Sequence, residues 1–320
     1  MASAIVVLVF KVCEMNVLYC FDTKFWRMAA VSIGSLVASQ KNSSVTVYCM
    51  VAPRTRGRRT IERVVRAAGG RLVWRVVRIS ENKFMKYGWS RWSPVIFYRI
   101  FACDIFPELD RMLYLDSDTL VCDDLTNMYN TDMGAAAMGA VRDMAPVHQE
   151  KNPNGKYVRE FKENYLKHNL YINSGVLLLN MIEMRKNQSA LLSVDVPLKY
   201  PDQDILNVAL DGKIYELPLR YNCIPDMDID EKFSDSDIEQ AKKKIAVAHF
   251  YAVKPYIYKL APRNSYAMFA AAARAVGMYP EQFLNMDIKH MRRKSTNRTS
   301  IPFLRATRGG KVRLFGILIK

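Results

Sequence analysis

Apolar runs of strand length alternate with stretches of helical spacing along the front half of the chain. The predicted strands are Val17–Phe21, Ser44–Val51, Arg71–Ile79 and Arg111–Leu115, and the predicted helices between them are Phe25–Gln40, Thr60–Ala68 and Trp92–Phe106. Strands separated by helices indicate βαβ units. The pattern therefore predicts an α/β protein with a mainly parallel, Rossmann-like sheet and helices on both faces.

The second half of the chain shows a weaker version of the same pattern. Further strands are predicted at Gly134–Val141, Val176–Asn180 and Ile245–His249, and further helices at Asp202–Leu210 and Tyr266–Val276. Residues 144–169 are polar and have no clear period, so we expect them to be irregular. We predict one domain over residues 15–286, an N-terminal extension over residues 1–14, and a basic, amphipathic tail over residues 287–320.

Positive charge is concentrated in two places. Lys and Arg outnumber Asp and Glu by 47 to 31, a net charge of +16, and residues 289–320 carry ten of the bases and no acid. A second arginine cluster runs from Arg54 to Arg78. Basic segments attract the phosphates of nucleic acid, anionic lipid or lipopolysaccharide, and composition does not choose among them. The six cysteines form no CxxC pair, which favours a reducing compartment over a disulfide framework or zinc site.

Candidate chemistry begins where one apolar strand ends, because Asp116 and Asp118 follow Met112–Leu115 directly. Residues two apart in an extended backbone point to the same side, so both carboxylates can reach one hard cation such as Mg²⁺ or Mn²⁺. Such a cation would neutralise charge on a departing diphosphate. Taken alone, the pair has an equally simple explanation as turn or helix-capping aspartates.

The order of five segments favours the metal-binding interpretation. They are LYLDSD (113–118), GAVRD (139–143), LYINSGVLLLN (170–180), DQDILN (202–207) and HFYAVKP (249–255). With this set, the chain resembles the family 8 retaining glycosyltransferases, which include bacterial lipopolysaccharide galactosyl- and glucosyltransferases and glycogenin. The resemblance covers most of residues 15–256. It implies a GT-A fold, a UDP-galactose or UDP-glucose donor, Mn²⁺ (or Mg²⁺), and hexosyl transfer with retention to a saccharide or glycolipid acceptor.

The resemblance also implies roles for individual residues. It makes Asp116, Asp118 and His249 the metal ligands. It places against the donor Asp22, Arg99, Asp116, Ser117, Asn173, Ser174 and Lys254. It places at the transferred sugar Asp143, Asp202 and Gln203. Because an amide is a poor nucleophile, we favour front-face attack, in which the leaving phosphate takes the acceptor proton, over a covalent intermediate on Gln203.

Several of these residues have simpler structural explanations. Asp22 suits the N-cap of the helix that follows it. The segment Asn173–Gly175 suits a turn before the strand that begins at Val176, and the acids of residues 202–204 suit the first turn of a helix. A lone histidine at a strand end, such as His249, is often a structural hydrogen-bonding group.

The sequence departs from the family pattern at three places, one of which is residues 144–169, where the family varies its acceptor site. After Asp22, where the family often has a second acid or Asn-Tyr, this chain has Thr23-Lys24-Phe25. The family motif H-x-x-G-x-x-K-P-W is replaced by the segment from His249 to Tyr256, which is one residue shorter and lacks the glycine. We therefore expect different base contacts and a locally different phosphate loop around Lys254.

The basic tail interleaves its charges with apolar residues such as Phe303, Leu304 and Phe315. It is similar to the cationic C-terminal segments of bacterial lipopolysaccharide sugar transferases. Bases are attracted to anionic lipid and apolar residues insert into it, so we predict a cytoplasmic protein attached peripherally to the inner face of a membrane.

Two functions other than glycosyl transfer would explain parts of the sequence. A haloacid-dehalogenase-type phosphatase also places D-x-D after an apolar strand, but usually on an early strand. A nucleic-acid-binding protein would explain the positive charge, yet no RNP, zinc-finger or clear helix-turn-helix signature accompanies it. Acids at the strand ends also oppose docking to a phosphate backbone, so no nucleic-acid partner is predicted.

Overall fold

The computed structural model describes residues 13–40, 43–78, 93–144, 153–225, 241, 244–251, 263–279 and 283, together with three short strands between residues 305 and 319. The chain divides into two compact units, Met1–Pro280 and Glu281–Lys320. The predicted donor ligand Lys254 lies outside the described residues, as do most of the predicted tail and N-terminal extension.

The described residues of the first unit form nine strands. They are β1 (Cys13–Phe21), β2 (Ser43–Val51), β3 (Arg71–Val76), β4 (Arg111–Leu115), β5 (Thr119–Val121), β6 (Met138–Arg142), β7 (Ile172–Asn180), β8 (Ile214–Glu216) and β9 (Val247–His249). Seven of them form one sheet in the order β3-β2-β1-β4-β7-β6-β8, while β5 and β9 form a separate antiparallel ribbon. Only β7 runs against its neighbours β4 and β6, so the main sheet is mainly parallel, as predicted.

The described helices are mostly short. They are α1 (Trp26–Ser39), α2 (Arg58–Ala67), α3 (Ala102–Ile105), α4 (Thr126–Tyr129), α5 (Pro153–Tyr165), α6 (Met181–Lys186), α7 (Gln188–Ser193), α8 (Pro201–Ala209) and α9 (Arg263–Ala275), with 3-10 turns at Pro94–Phe101 and Leu219–Tyr221. Among the residues that the structure describes, no helix is long and apolar enough to cross a bilayer.

The central strands are buried on both faces, which explains why they read as continuous apolar runs. On one face, Leu18 of β1 and Tyr114 of β4 pack in a core cluster with Cys103, Met184 and other residues of the short helices. On the opposite face, the hydroxyl of Tyr19 contacts that of Ser32 in α1 at 3.2 Å. Helices therefore cover both faces, and the α/β prediction is confirmed.

Two predictions made from local pattern are wrong. Residues 153–165 form α5 rather than an irregular segment, because Val158 and Phe161 on one side of this polar helix pack with Tyr171 into a small apolar cluster. The segment Asn173–Gly175 lies inside β7 rather than in a turn before it. The pairing of β7 with β6 shifts register across this segment, and the backbone N–H groups of Ser174 and Gly175 donate to the side chains of Gln203 and Asn173.

Other elements begin several residues away from their predicted starts. Strand β6 begins at Met138 rather than Gly134, whose backbone has a positive φ of 54° that does not fit a strand. Strand β1 begins at Cys13, two residues before the predicted start of the domain.

The second unit contains three strands, β10 (Arg305–Ala306), β11 (Val312–Leu314) and β12 (Ile317–Ile319). They pair in chain order as a small antiparallel sheet.

Candidate active site

A cluster of two carboxylates and an imidazole lies beyond the carboxyl end of β4. Asp116 and Asp118 follow β4, and His249 ends β9, where it pairs with Thr119 of β5. The Nε2 atom of His249 is 3.3 Å from Asp118 Oδ1 and 3.8 Å from Asp116 Oδ2. One ligand atom from each residue lies within 4.8 Å of the others, so the three can converge on one cation.

The donor set of this cluster fits a divalent cation. Two carboxylate oxygens and one imidazole nitrogen suit Mn²⁺ or Mg²⁺. The Nε2 atom of His249 is buried and has no hydrogen-bond partner among the residues that the structure describes, although buried polar atoms normally have one. An imidazole held in this way is more readily explained as a ligand than as the structural hydrogen-bonding group considered above.

Gly175 makes the close approach of these ligands possible. A Cβ atom added to it would lie 2.1 Å from Cε1 of His249 and 2.9 Å from Oδ2 of Asp116. Its carbonyl also accepts the backbone N–H of Asp116 at 2.8 Å. The glycine of the Asn173–Gly175 segment is therefore required by space at the cluster, not by turn geometry.

Arg99 links the cluster to a second acid. It lies in the turn Pro94–Phe101, and its guanidinium donates to Asp116 Oδ1 at 3.0 Å and to the Ser174 carbonyl at 2.7 Å. It also forms an ion pair with Asp202 at 3.3 Å. Burial by itself would lower the pKa of Arg99, but Asp116, Tyr114 and Asp202 together raise it above its ordinary value. Arg99 therefore stays charged and fixes the position of both acids.

The first turn of α8 supplies the next pair of polar groups. Asp202 accepts from the Ser174 hydroxyl at 3.0 Å, and burial raises its pKa although Arg99 lowers it. Gln203 donates through Nε2 to Asp143 Oδ2 at 2.9 Å and accepts through Oε1 from the Ser174 backbone N–H at 3.1 Å. Asp202 and Asp204 do lie in the first turn of α8, as the simpler explanation held. Of these two acids, Asp202 faces the interior polar cluster, through its contacts with Ser174 and Arg99.

The structure thus brings most of the predicted residues into one cluster, in which Asp116 and Asp118 are partly exposed. Those in hydrogen-bond or ion-pair contact with one another are Arg99, Asp116, Asp118, Asp143, Asn173, Ser174, Asp202, Gln203 and His249. Ser117, between the two aspartates, is also buried, and within the described ranges its hydroxyl has no hydrogen-bond partner.

The hydrogen-bond partners of Asp22 lie outside this cluster. Its carboxylate accepts from the Ser93 hydroxyl at 3.0 Å and from the Lys24 backbone N–H at 2.8 Å. It does not cap α1, whose N-cap residue is Phe25. The capping explanation for Asp22 is therefore wrong.

Two residues of the cluster were not found from the sequence. Asn222 contacts Nδ1 of His249 at 2.8 Å and lies just after a 3-10 turn, with no motif around it. Tyr251 donates to Asp143 Oδ1 at 2.9 Å, and its ring lies 4.7 Å from that of His249. Tyr251 stands inside the segment 249–255, so the only available signal was its position two residues after His249.

The sequence and fold were compared with those of known proteins. The chain is 28% identical over 275 residues to a lipopolysaccharide 1,2-glucosyltransferase of Escherichia coli K12, covering 78% of each protein. It is 29% identical over 220 residues to another Escherichia coli lipopolysaccharide 1,2-glucosyltransferase, covering 65% of this chain and 62% of the relative.

Among solved structures, the fold is similar to that of a galactosyltransferase crystallised with donor and acceptor sugar analogues. The TM-score is 0.69 at 22% identity, over 85% of this chain and all of the other. This likeness confirms the predicted GT-A type α/β fold.

The family profile described as glycosyl transferase family 8 matches residues 16–258, which include every residue of the cluster. The match decides for glycosyl transfer against the phosphatase and nucleic-acid-binding alternatives. The chain belongs to glycosyl transferase family 8 and is a glycosyltransferase.

Proposed function

We propose that this glycosyltransferase moves a galactosyl or glucosyl group from a UDP-sugar to a saccharide acceptor, with retention of anomeric configuration. The acceptor we favour is lipopolysaccharide or another cell-surface glycan. Support for the sugar class comes from the relatives, two of which are lipopolysaccharide glucosyltransferases, while the similar solved structure is a galactosyltransferase.

One observation carries the proposal: a buried imidazole nitrogen, without a hydrogen-bond partner among the described residues, faces two carboxylates beside a buried arginine. Asp116, Asp118 and His249 would hold a divalent cation, for which we propose Mn²⁺. The cation would supply Lewis acidity that neutralises charge on the leaving diphosphate. Because Arg99 holds Oδ1 of Asp116, the other oxygen, Oδ2, is the one turned towards His249.

The hydrogen bonds of Gln203 favour front-face attack over a covalent intermediate. Its carbonyl oxygen already accepts from the Ser174 backbone and its amide nitrogen donates to Asp143, so the side chain is held at both ends. In the proposed step, the acceptor oxygen bonds to the anomeric carbon as the bond to phosphate breaks. The acceptor proton passes to the leaving phosphate oxygen. Gln203 and Asp143 then position the sugar.

The other predicted donor ligands keep their proposed roles. Ser117 has a buried hydroxyl without a partner, which suits a hydrogen bond to the donor. Asp22, at the end of β1, is proposed to contact the nucleoside, and Lys254 the diphosphate. Arg99 balances the negative charge of Asp202, and the Ser174 hydroxyl donates to the Asp202 carboxylate. A carboxylate held in this way suits a role in binding a sugar hydroxyl better than a role as the nucleophile.

The test of this function is donor hydrolysis by purified protein. A panel of nucleotide sugars is incubated with and without Mn²⁺, and free nucleotide is measured. We expect Mn²⁺-dependent release of UDP from UDP-galactose or UDP-glucose and loss of that release in Asp116→Ala.

Calorimetry with UDP and Mn²⁺ completes the test. UDP binding without turnover would point to a required acceptor, and a panel of glycan acceptors would follow. Absence of UDP binding by folded protein would overturn the proposal.

We also propose that the basic tail attaches the protein to the cytoplasmic face of an anionic membrane. Each base near anionic lipid contributes about 1 kcal/mol to binding. Sedimentation with anionic liposomes should fall when residues 287–320 are removed, and equal sedimentation of both proteins would contradict the attachment.

A further inference from the structure

The amide side chains of Asn222, Asn173 and Gln203 form a continuous hydrogen-bonded chain inside the protein, here named the amide chain. Asn222 Nδ2 donates to Asn173 Oδ1 at 2.9 Å, and Asn173 Nδ2 donates to Gln203 Oε1 at 3.3 Å. One end contacts Nδ1 of His249 and the other donates to Asp143. All of these side chains are buried.

The direction of every bond in the amide chain is fixed by the backbone. The Gly175 N–H, which can only donate, points at Oδ1 of Asn173 at 3.0 Å, and the Ser174 N–H points at Oε1 of Gln203 at 3.1 Å. These two atoms must therefore be oxygens, because two amide nitrogens cannot be acceptors. Neither Asn173 nor Gln203 can be rotated by half a turn without facing a donor with a donor.

The same logic fixes Asn222 and then the imidazole. Since Asn173 Oδ1 is an acceptor, Asn222 turns its amide nitrogen towards it and its oxygen towards His249. An oxygen can only accept, so Nδ1 of His249 must carry a hydrogen. In the neutral ring, Nε2 is then the nitrogen with the lone pair, and it is the atom that faces Asp116 and Asp118.

The far end of the amide chain returns to the same histidine. Tyr251 donates to the second oxygen of Asp143, and its ring lies against the ring of His249 at 4.7 Å. Two links therefore join His249 to the residues that are proposed to face the sugar. One is the hydrogen-bonded amide chain through Asn222, and the other is the packing of the Tyr251 ring.

We propose that Asn222 is a positioning residue that locks His249 in its Nδ1–H tautomer and so prepares Nε2 to bind the cation. The proposal rests on the proposed function, because it assumes that His249 is a cation ligand. Outer-shell partners of this kind change metal affinity by about ten- to a hundredfold when they are removed. Asn222 contacts Nδ1 of His249 rather than Nε2, so its effect on the cation would be transmitted through the imidazole.

The deciding experiment is nitrogen-15 NMR of the imidazoles in metal-free, substrate-free protein at alkaline pH. The chain has four histidines, so the spectrum is simple, and His249→Gln identifies the signal of interest. We expect a pure Nδ1–H tautomer for His249. An Nε2–H tautomer in the folded wild-type protein would overturn the proposal. Neither result depends on turnover, so failure here is distinct from failure of the proposed function.

Two variants then separate the link to His249 from the link to Asn173. Asn222→Leu removes both, whereas Asn222→Asp keeps an oxygen to accept from Nδ1 and loses the donor to Asn173. We expect Asn222→Leu to lose the pure tautomer and to bind Mn²⁺ about ten- to a hundredfold more weakly by calorimetry. Asn222→Asp should keep the Nδ1–H tautomer and bind more tightly than Asn222→Leu.

The matched control is Asn187→Leu. Asn187 is also buried, but its side chain donates to the Glu183 carbonyl and accepts from Lys213, away from the amide chain. It should lose stability without any change in the His249 signal. If folded Asn222→Leu kept both the wild-type tautomer and the wild-type Mn²⁺ affinity, Asn222 would have no positioning role. If Asn222→Leu does not fold, the wild-type spectrum and Asn222→Asp decide the question.

Discussion

Two groups of acidic side chains in the described part of the chain differ in how many of their polar atoms have hydrogen-bond partners. Asp204 is completely buried, and its carboxylate accepts from the hydroxyls of Tyr157 and Tyr171 and from the backbone N–H groups of Lys199 and Tyr200. In the cluster of Asp116, Asp118 and His249, by contrast, no described residue forms a hydrogen bond with the imidazole Nε2. The two aspartates Asp202 and Asp204 on α8 therefore belong to different environments only two residues apart.

The contrast teaches which polar groups serve the scaffold and which serve the reaction. Four donors from three parts of the chain bind the Asp204 carboxylate: one in α5, one just before β7 and two just before α8. This carboxylate therefore needs no hydrogen bond from a ligand. The cluster beside β4 lacks a partner that an external cation can provide. Removing a member of the first group should cost stability, and removing a member of the second should cost activity.

The largest expected effect is on catalysis. Asp118→Asn removes one charged oxygen ligand from the cluster, so Mn²⁺-dependent UDP release should fall by about a hundred- to a thousandfold. Stability in the absence of metal should change little, because two carboxylates held close together repel each other. The measurements are nucleotide release and thermal unfolding with and without Mn²⁺. A variant that still gained thermal stability from Mn²⁺ as the wild type does would contradict the assignment of Asp118 as a ligand.

The opposite result is expected for the satisfied acid. Asp204→Ala leaves two tyrosine hydroxyls and two backbone N–H groups without their acceptor, so we expect a loss of about 3 kcal/mol in the free energy of unfolding. Urea unfolding measures it. Tyr157→Phe removes one of the four donors and should cost about 1 kcal/mol. Equal losses in the two variants would show that the other three hydrogen bonds of Asp204 add nothing to the free energy of unfolding.

A steric change at Gly175 should affect the unsatisfied cluster more than the scaffold. In Gly175→Ala the new Cβ would displace the imidazole of His249, because the two would otherwise lie 2.1 Å apart. We expect a stability loss of about 2 kcal/mol and an Mn²⁺ affinity reduced by about tenfold or more.

The control for this change is Gly69→Ala. Gly69 has a positive φ of 76° but nothing within 4 Å of an added Cβ, so alanine there meets only backbone strain. It should lose about 1 kcal/mol and keep its Mn²⁺ affinity. Calorimetry on both variants would contradict the steric explanation if Gly175→Ala bound Mn²⁺ as tightly as Gly69→Ala.

The smallest effect concerns pH. Burial raises the pKa of Asp202, Arg99 lowers it, and Asp116 raises it, leaving it above the ordinary value of 3.8. A raised folded-state pKa contributes stability that is complete below pH 3.8 and is lost as pH rises through the folded-state pKa. Asp202→Asn does not titrate, so its stability relative to the wild type should increase with pH over that window.

Urea unfolding over a pH series measures this difference. Asp110→Asn, whose side chain is 78% exposed in the wild type, controls for the general effect of removing one negative charge. A difference between Asp202→Asn and the wild type that stayed constant with pH would contradict the raised pKa.

The parts of the fold that could be predicted are those with a local signal. Strands β1, β2 and β4 are apolar on both faces, so each stands out as a run, and Asp116 could be placed because it follows such a run. The ribbon of β5 and β9 was only partly predicted, because its strands have three residues each and their pairing joins distant segments. Helix α5 is mainly polar and shows its apolar side only once Tyr171 is brought against it.

The same distinction holds within the site. The D-x-D pair and the Asn173–Gly175 segment carry recognisable motifs, and family resemblance assigned them. Asn222 has no motif, since its role comes from contacts with His249, 27 residues away, and with Asn173, 49 residues away. Hydrogen-bond partners of this kind are created by tertiary packing, so periodicity and spacing carry no record of them.

The separation of the small ribbon from the main sheet has a consequence for dynamics. Asp116 follows the main sheet at β4, whereas His249 belongs to β9, whose described ladder consists of three residue pairs with β5. A cation shared by these residues would add a link between the main sheet and the ribbon of β5 and β9. Amide protons of β9 should therefore become slower to exchange with solvent deuterium when Mn²⁺ is added, while those of β1 and β2 keep their rates.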